Sequence, residues 1–340
     1  MTLQTLNPGL ATIAAPAPVI DVRVLHEVSQ PDQLDDLRSG LLAPSARIEP
    51  KFFYDEQGGA LFGAIVELNE YYLPRAERQI FERERSAIAA RLPAPAQWVD
   101  LGCGDCAKSR GWLPHVDVER YIGVDIAGEW LRGSLLKLGN EFADIDCVGA
   151  VCDFMRAFDL RAILDERSDL PPVFFYPGSS LGNFAPDRAL AFLSAIHGHC
   201  DGGGALLIGI DLVKDVETLE RAYDDRLGVT AAFNRNALRV VNRLLGADFP
   251  IERFDHRATF NAEQSRIEMH LVARETTVVQ IPMGDGSVAE RRFESGEAIL
   301  TECSYKYRRD RFARLLEAAG FTQTTSWTDD DQRYAVFLAS

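Results

Sequence analysis

Trp98-Val99-Asp100-Leu101-Gly102-Cys103-Gly104-Asp105-Cys106-Ala107-Lys108 decides the fold. An apolar run ends in two glycines two residues apart, and a helix-compatible stretch follows. This reads as a buried strand, a tight turn and a helix start. Glycine at both turn positions permits left-handed backbone and brings main-chain N–H groups close to a ligand. Ala107 stands where a dinucleotide fingerprint usually has its third glycine, although that fingerprint tolerates alanine. Asp100, at the strand end, is placed to meet a cationic amino-acid moiety. Read alone, the turn suits a NAD-binding protein or a ligand-free structural turn as well.

Working outward, the next apolar run is Tyr121-Ile122-Gly123-Val124-Asp125. Its terminal Asp125 follows the glycines by about 20 residues, where a carboxylate holds ribose hydroxyls. Val151-Cys152-Asp153-Phe154 then offers a carboxylate and a ring, suited to an adenine amine and its face. Acid, glycine turn, acid and acid–aromatic in this order favour S-adenosylmethionine (SAM) over a nicotinamide dinucleotide. Pro172–Pro177 is a further strand, leading into a second glycine loop, Gly178-Ser179-Ser180-Leu181-Gly182-Asn183, and Ala205–Asp211 is the fifth. Helical stretches at Ser109–His115, Glu129–Asn140 and Pro186–His199 separate these strands. Alternating strands and helices predict a parallel α/β sheet with right-handed crossovers and a ligand crevice at the strands' carboxyl ends. Asn183 there is equally a turn residue or a ligand contact, since its amide both donates and accepts.

Before the sheet, helices are expected over Gln33–Gly40, Ala60–Leu68 and Arg75–Arg91, with Gly58-Gly59 as a break. Tyr71 precedes Pro74 and, taken alone, reads as packing. After Asp211 the pattern changes. Val216–Val241 is helical, residues 252–283 alternate like strands, and Gly284-Asp285-Gly286 is a turn. Glu297–Tyr307 is β-like, and Arg308–Ala319 is a helix ending at Gly320. Phe321–Trp327 and Tyr334–Leu338 close the chain as an antiparallel hairpin. Residues 212–305 are therefore read as an insertion into the α/β domain. Glu302 and Ser304, two apart on a strand, share one face. On the residues alone, a solvated strand face is the better reading of the pair.

The 340 residues carry 51 acids against 36 bases, a net charge of −15. A phosphate-tracking nucleic-acid binder usually shows a basic stripe, and none is present. The balance fits a soluble protein acting on a small molecule. Six cysteines, at 103, 106, 147, 152, 200 and 303, do not form a disulfide framework. Cys103 and Cys106 make a CxxC, but there is no second pair and no histidine at ligand spacing, so no metal is expected. Residues 1–22 lack Lys and Arg, unlike a signal peptide, and Ala11–Pro18 reads as a loose arm. No apolar run approaches the length of a transmembrane helix, and the cytoplasm is the expected location.

The order of motifs resembles the L-histidine Nα-methyltransferases of ergothioneine biosynthesis. The resemblance rests on Phe53-Tyr54-Asp55, Glu70-Tyr71-Tyr72 with Arg75 and Glu77, Leu101-Gly102-Cys103-Gly104 and Gly178–Asn183. It continues through Asp211-Leu212-Val213-Lys214-Asp215, Ala222-Tyr223-Asp224-Asp225, Gly228–Asn234 and Thr301-Glu302-Cys303-Ser304. These cover nearly all of the chain beyond residue 45. The resemblance implies a class I SAM-dependent methyltransferase fold, Rossmann-like and mainly parallel with a C-terminal antiparallel hairpin, plus an α+β substrate-binding domain. The SAM-binding part would be 77–211 with 306–340, the substrate-binding part 22–76 with 212–305, and 1–21 a flexible arm.

The implied reaction is three successive methyl transfers from SAM to the α-amine of L-histidine, giving trimethylhistidine (hercynine) and S-adenosylhomocysteine. Asn183 and Tyr223 would hold the substrate carboxylate; Glu302 and Ser304 would hold the imidazole, with Met269 nearby. Tyr54, Tyr71, Gly178 and Thr230 would shape the amine and imidazole pocket. Gly102, Gly104, Lys108, Asp125, Asp153 and Phe154 would contact SAM. Asp105 and Cys106 depart from the Ser or Thr common in relatives. The implied partners are one small-molecule substrate and neither nucleic acid nor membrane, with the chain acting as a monomer. An alternative keeps the fold and methylates another amino acid such as tryptophan; a NAD-dependent oxidoreductase and a catalytically silent SAM-binding scaffold are further alternatives.

Overall fold

The structure, a computed structural model, describes residues 20–25, 30–154 and 158–340. The arm expected at 1–21 lies outside the described residues as far as residue 19. The chain runs through β1 (Asp21–Val24), α1 (Gln30–Leu42), α2 (Glu56–Ile65) and α3 (Leu73–Ala89) before β2 (Ala96–Leu101). Then come α4 (Ala107–Arg110), β3 (Val118–Asp125), α5 (Gly128–Glu141), β4 (Asp146–Val151) and α6 (Arg161–Leu164). β5 (Pro172–Tyr176), α7 (Pro186–His197) and β6 (Ala205–Asp211) complete the parallel strands.

The central sheet has eight strands in the order β1-β4-β3-β2-β5-β6-β13-β12. The first six are mutually parallel. β13 (Tyr334–Ala339) then runs antiparallel to β6, and β12 (Thr324–Thr328) antiparallel to β13. Every residue of β2, β5 and β6 is buried. Helices cover both faces of such a sheet, so its strands are apolar throughout rather than alternating. Trp98, Tyr121, Phe175 and Leu207 pack on one face; Val99, Ile122, Phe174 and Ile208 pack on the other. Parallel strands first and an antiparallel hairpin last make this the class I methyltransferase arrangement.

The insertion begins with α8 (Val216–Tyr223) and α9 (Val229–Leu245). They lie against a three-stranded antiparallel sheet of β7 (Phe254–Asn261), β8 (Arg266–Ala273) and β11 (Ala298–Tyr305), ordered β11-β8-β7. β9 (Thr277–Pro282) and β10 (Val288–Phe293) form a separate ribbon, and α10 (Arg309–Ala318) returns the chain to the central sheet.

Four expectations change. Residues 22–24, expected in the substrate-binding part, belong to β1 and pair with β4 on the edge of the central sheet. Gly58-Gly59 does not break the chain but lies within α2. Asp55 caps that helix by accepting from the Gly58 N–H at 2.8 Å. A Cβ at Gly58 would collide with the Phe53 carbonyl oxygen, so this glycine permits a close approach. The single helical reading of 216–241 divides at 224–228, because Asp225 accepts from the N–H groups of Val229 at 3.1 Å and Thr230 at 2.7 Å and starts a new helix. The crossover helix after β2 is four residues long, with a 3-10 turn at Leu113–His115 after it.

Candidate active site

The residues expected to contact SAM gather at the carboxyl ends of β2, β3 and β4. Gly102 and Gly104 take φ of 70° and 54°, the left-handed region that glycine enters without strain. The turn is fixed by Asp125, which accepts from the Gly104 N–H at 3.1 Å and from the Ala127 N–H at 3.0 Å. Phe154 stands over the turn, its ring 3.9 Å from where a Gly102 Cβ would be. Asp153, one residue before it, is buried. A narrow glycine turn, a carboxylate on the neighbouring strand and a ring beside the turn fit the methionine, ribose and adenine parts of SAM. At the head of α4, Asp105 accepts from the Ala107 N–H at 3.0 Å, and Cys106 is a buried residue with φ of 60°.

Asp100 is corrected. Its carboxylate does not face the crevice but is buried below the turn, accepting from Ser109 Oγ at 2.6 Å and Tyr121 Oη at 2.7 Å. Burial raises it to about 6, with Ser109 and Tyr121 opposing the shift. Strand alternation sends Asp100 to the Trp98 side of the sheet, where α4 supplies its partner.

Glu77, on α3, connects this turn to the Gly178 loop. One carboxylate oxygen accepts from the Gly178 N–H and from Tyr334 Oη, both at 2.7 Å. The other meets the Lys108 ammonium at 2.5 Å. Glu77 is buried and Lys108 half-exposed, so the carboxylate is the fixed end of the pair. Lys108 Nζ lies 3.1 Å from where a Gly178 Cβ would sit. Lys108 therefore belongs to the seam between the two glycine loops.

Beyond that seam lies a cavity lined by all nine residues expected around the substrate: Tyr54, Tyr71, Gly178, Asn183, Tyr223, Thr230, Met269, Glu302 and Ser304. Five separate stretches of the chain contribute. Asn183 ends the 3-10 turn Ser180–Asn183, and no partner within the described residues holds its side-chain amide. Tyr71 and Tyr223 meet edge to face at 6.0 Å, and Tyr54 meets Phe62 and Phe233 in the same way, each at 5.7 Å. Phe62, Ile65, Phe233 and Ala222 also line the cavity. Phe62 and Ile65 stood out in the sequence only by apolar helical spacing, because an apolar wall and a core face look alike there, and Ala222 and Phe233 only as members of the family strings.

Glu302 and Ser304 reach the cavity through a β-bulge. β11 pairs Leu300 with His270 and then Glu302 with Met269, so Thr301 is an extra residue. The extra residue shifts Glu302 and Ser304 to the face of Met269 and Ile267, which α8 and α9 cover. Thr301 Oγ1 donates to the Met269 carbonyl at 3.0 Å and holds the bulge. Burial raises the Glu302 carboxyl to about 7, and Lys306 opposes the shift. Burial, with Glu302 and neighbouring phenols, holds the Tyr71 hydroxyl well above its ordinary range.

Below the cavity floor is a charged cluster to which sequence reasoning gave no role. Asp211, fully buried at the end of β6, accepts from Tyr72 Oη at 2.7 Å, pairs with Lys214 at 2.6 Å and pairs with Lys306 at 2.9 Å. Lys214 also donates to Tyr72 Oη. Its own burial lowers Lys214 to about 8, against the pull of Asp211. Lys306 further donates to Tyr223 Oη and Ser304 Oγ, both at 2.9 Å. The signal was present in Asp211-Leu212-Val213-Lys214, a charged pair at the end of an apolar strand, but nothing local tells where its partners lie. Among the described residues, no group of three or more His, Cys, Asp or Glu could hold a metal ion. No helix among them is long and apolar enough to cross a membrane.

The profile of the SAM-dependent, histidine-specific methyltransferase family matches residues 33–340. The chain is 40% identical over 309 residues to Histidine N-alpha-methyltransferase of Mycolicibacterium smegmatis, covering 89% of this chain and 93% of that protein. It is 37% identical over 314 residues to the Mycobacterium tuberculosis protein of the same name, covering 90% and 94%. Ergothioneine biosynthesis protein 1 of Neurospora crassa is 27% identical over 321 residues, covering 92% of this chain and 35% of that protein.

Proposed function

The chain belongs to the SAM-dependent, histidine-specific methyltransferase family, and from that premise we propose how its residues divide the work. The enzyme methylates the α-amine of L-histidine to give hercynine in ergothioneine biosynthesis. When bound, SAM supplies the electrophilic methyl group; counted from the ammonium form of the amine, each turnover exchanges its C–S bond for a C–N bond and releases the proton that the amine loses before transfer. The chain's own task is alignment, since an in-line displacement requires a neutral amine held at a fixed distance and angle.

Asn183 and Tyr223 hold the substrate carboxylate, both of them donors at the cavity floor. Glu302 and Ser304 take the imidazole, and Met269 packs beside it. Tyr54, Tyr71 and Gly178 surround the amine, with Thr230 closing the side. Tyr71, kept protonated by burial, orients the amine by hydrogen bonding and does not serve as an anionic base. Tyr54 is 53% exposed and stands at the mouth, where the released proton reaches water. Gly102, Gly104, Lys108, Asp125, Asp153 and Phe154 hold SAM. Apart from β1, residues 22–76 and 212–305 form the substrate-binding part; 77–211 and 306–340 form the SAM-binding part. The proposed location is the cytoplasm and the proposed state a monomer, since all nine residues expected around the substrate are supplied without a second copy.

The observation that carries this reading is the convergence of nine separately quoted residues on one cavity that adjoins the Lys108 seam. The test is mass spectrometry of an equimolar mixture of histidine, tryptophan and phenylalanine incubated with the protein and SAM. Histidine should gain up to three methyl groups on its α-nitrogen. Preferential methylation of tryptophan, or of none, would overturn the reading.

A further inference from the structure

Lys306 is buried, yet its ammonium lies one hydrogen bond from two cavity-lining hydroxyls. Its three protons meet three oxygens, all at 2.9 Å: Asp211 Oδ2, Tyr223 Oη and Ser304 Oγ. An ammonium only donates, so both hydroxyl oxygens must accept from it. Tyr223 Oη and Ser304 Oγ are also 2.9 Å apart, so one hydroxyl proton is spent between them. One O–H remains, and the cavity is the side on which the ligand would meet it.

We infer that Lys306 is a positioning residue which sets the hydrogen-bond polarity of the substrate pocket: with Ser304 donating to Tyr223 Oη, the Tyr223 hydroxyl is left as the donor toward the substrate carboxylate. The inference rests on the proposed placing of that carboxylate at Asn183 and Tyr223. Charge acts in the same direction. Lys214 and Lys306 share the single carboxylate of Asp211, leaving one positive charge in excess beneath the floor. The charged and titratable groups facing Lys306 are Asp211, Lys214, Tyr223, Tyr307 and Glu302. An anionic substrate group is thus met by an oriented proton and, behind it, a buried cation.

The test compares histidine with histamine, which lacks the carboxylate, as substrates of wild type, Lys306→Met and Lys306→Gln. SAM affinity is measured on each by calorimetry. If wild type does not methylate histidine, the functional reading fails before the inference is reached. If it does, Lys306→Met should retain SAM affinity while its preference for histidine over histamine, in kcat/KM, falls about tenfold or more, as expected for a lost charge-assisted contact. Lys306→Gln, which keeps donors without the charge, should be intermediate. In a Tyr223→Phe background the further effect of Lys306→Met on that ratio should largely vanish, since the two act as one unit. An unchanged ratio in Lys306→Met would overturn the inference. So would loss of SAM binding in both Lys306 variants, which would make Lys306 a residue of folding alone.

Discussion

Glu302 stands opposite Met269 because β11 carries one more residue than its partner at Thr301. Were Thr301 paired in regular register instead of bulged, Ile299 would remain opposite Leu271, but Glu302 would fall opposite Glu268 and face away from the cavity. On the proposed role of Glu302, selectivity for an imidazole begins in a backbone irregularity. Glu302→Ala should lower kcat/KM for histidine by about ten- to a hundredfold, the scale of a hydrogen bond to a charged group. Its preference for histidine over tryptophan should narrow, because the pocket no longer holds a carboxylate that only a polar ring satisfies. SAM affinity should not change. Competition assays on both proteins check this, and a retained wild-type ratio would remove Glu302 as the selector.

The raised value of Glu302 gives a pH signature. Its ordinary value is 4.5 and burial moves it to about 7, so the free enzyme holds the neutral acid below about 7 and the carboxylate above. Acceptance of an imidazole N–H therefore weakens as pH falls through 7, and kcat/KM should drop there. Substrate ionisation is common to all variants, so a flatter acid limb in Glu302→Gln isolates this residue. The folded state binds this proton more tightly than the unfolded chain, so ionisation costs stability as pH rises from 4.5 to 7. Glu302→Gln should raise Tm above pH 7 and leave it unchanged below 4.5. Scanning calorimetry at the two extremes reads the difference.

Asp125 already braces the glycine turn through two N–H groups, and it is the proposed ribose ligand. Asp125→Ala removes both functions. Each hydrogen bond is worth about 0.5–1.5 kcal/mol net, so SAM affinity should fall by about tenfold or more. Titration calorimetry with SAM measures it; equal affinities would remove Asp125 from the cofactor site.

Asn183 faces the cavity with its amide unengaged by the described residues. Asn183→Ala should raise KM for histidine about tenfold, the cost of one hydrogen bond to a charged group. Turnover of histamine, already poor, should stay as it was. An equal loss on both substrates would show that Asn183 shapes the loop and does not read the carboxylate.

Gly209, in β6, lies beneath the Glu77 carboxylate. A Cβ there would fall well inside contact distance of Tyr334 Oη and Glu77 Oε1. Gly209→Ala should destabilise the fold by about 1–3 kcal/mol, the usual cost of overfilling a packed site. Because Glu77 carries the Gly178 N–H, methyl transfer should fall as well, even where the protein remains folded. Thermal melts and single-turnover assays separate the two effects.

Much of this was legible in the sequence. The Trp98–Lys108 stretch and the strands after it follow from long apolar runs whose neighbours are helices, a pattern that survives any tertiary arrangement. Residues 52–55, 178–183 and 301–304 were visible as unusual strings, and only family resemblance could join them. Physical reading alone failed where a partner distant in the chain decides the outcome. Asp100 faces inward because Ser109 and Tyr121 receive it. The bulge at Thr301 is invisible to an alternation count. Lys306, between two tyrosines at the end of a β-like run, carries no local signal, because its oxygen partners come from β6, α8 and β11 together.

The place of β13 has a consequence for biosynthesis. β6 is buried throughout and emerges from the ribosome more than 100 residues before the strand that pairs with its free side. Until β13 arrives, the nascent chain presents an apolar strand with an unpaired edge, the kind of surface that recruits other chains. The same late strand brings Tyr334 to Glu77, and through it braces the Gly178 loop. Translation therefore supplies this support of the Gly178 loop long after the loop itself. A ribosome stalled after the insertion would hold a chain with its substrate segments already made, no braced loop, and an adhesive edge for chaperones to guard.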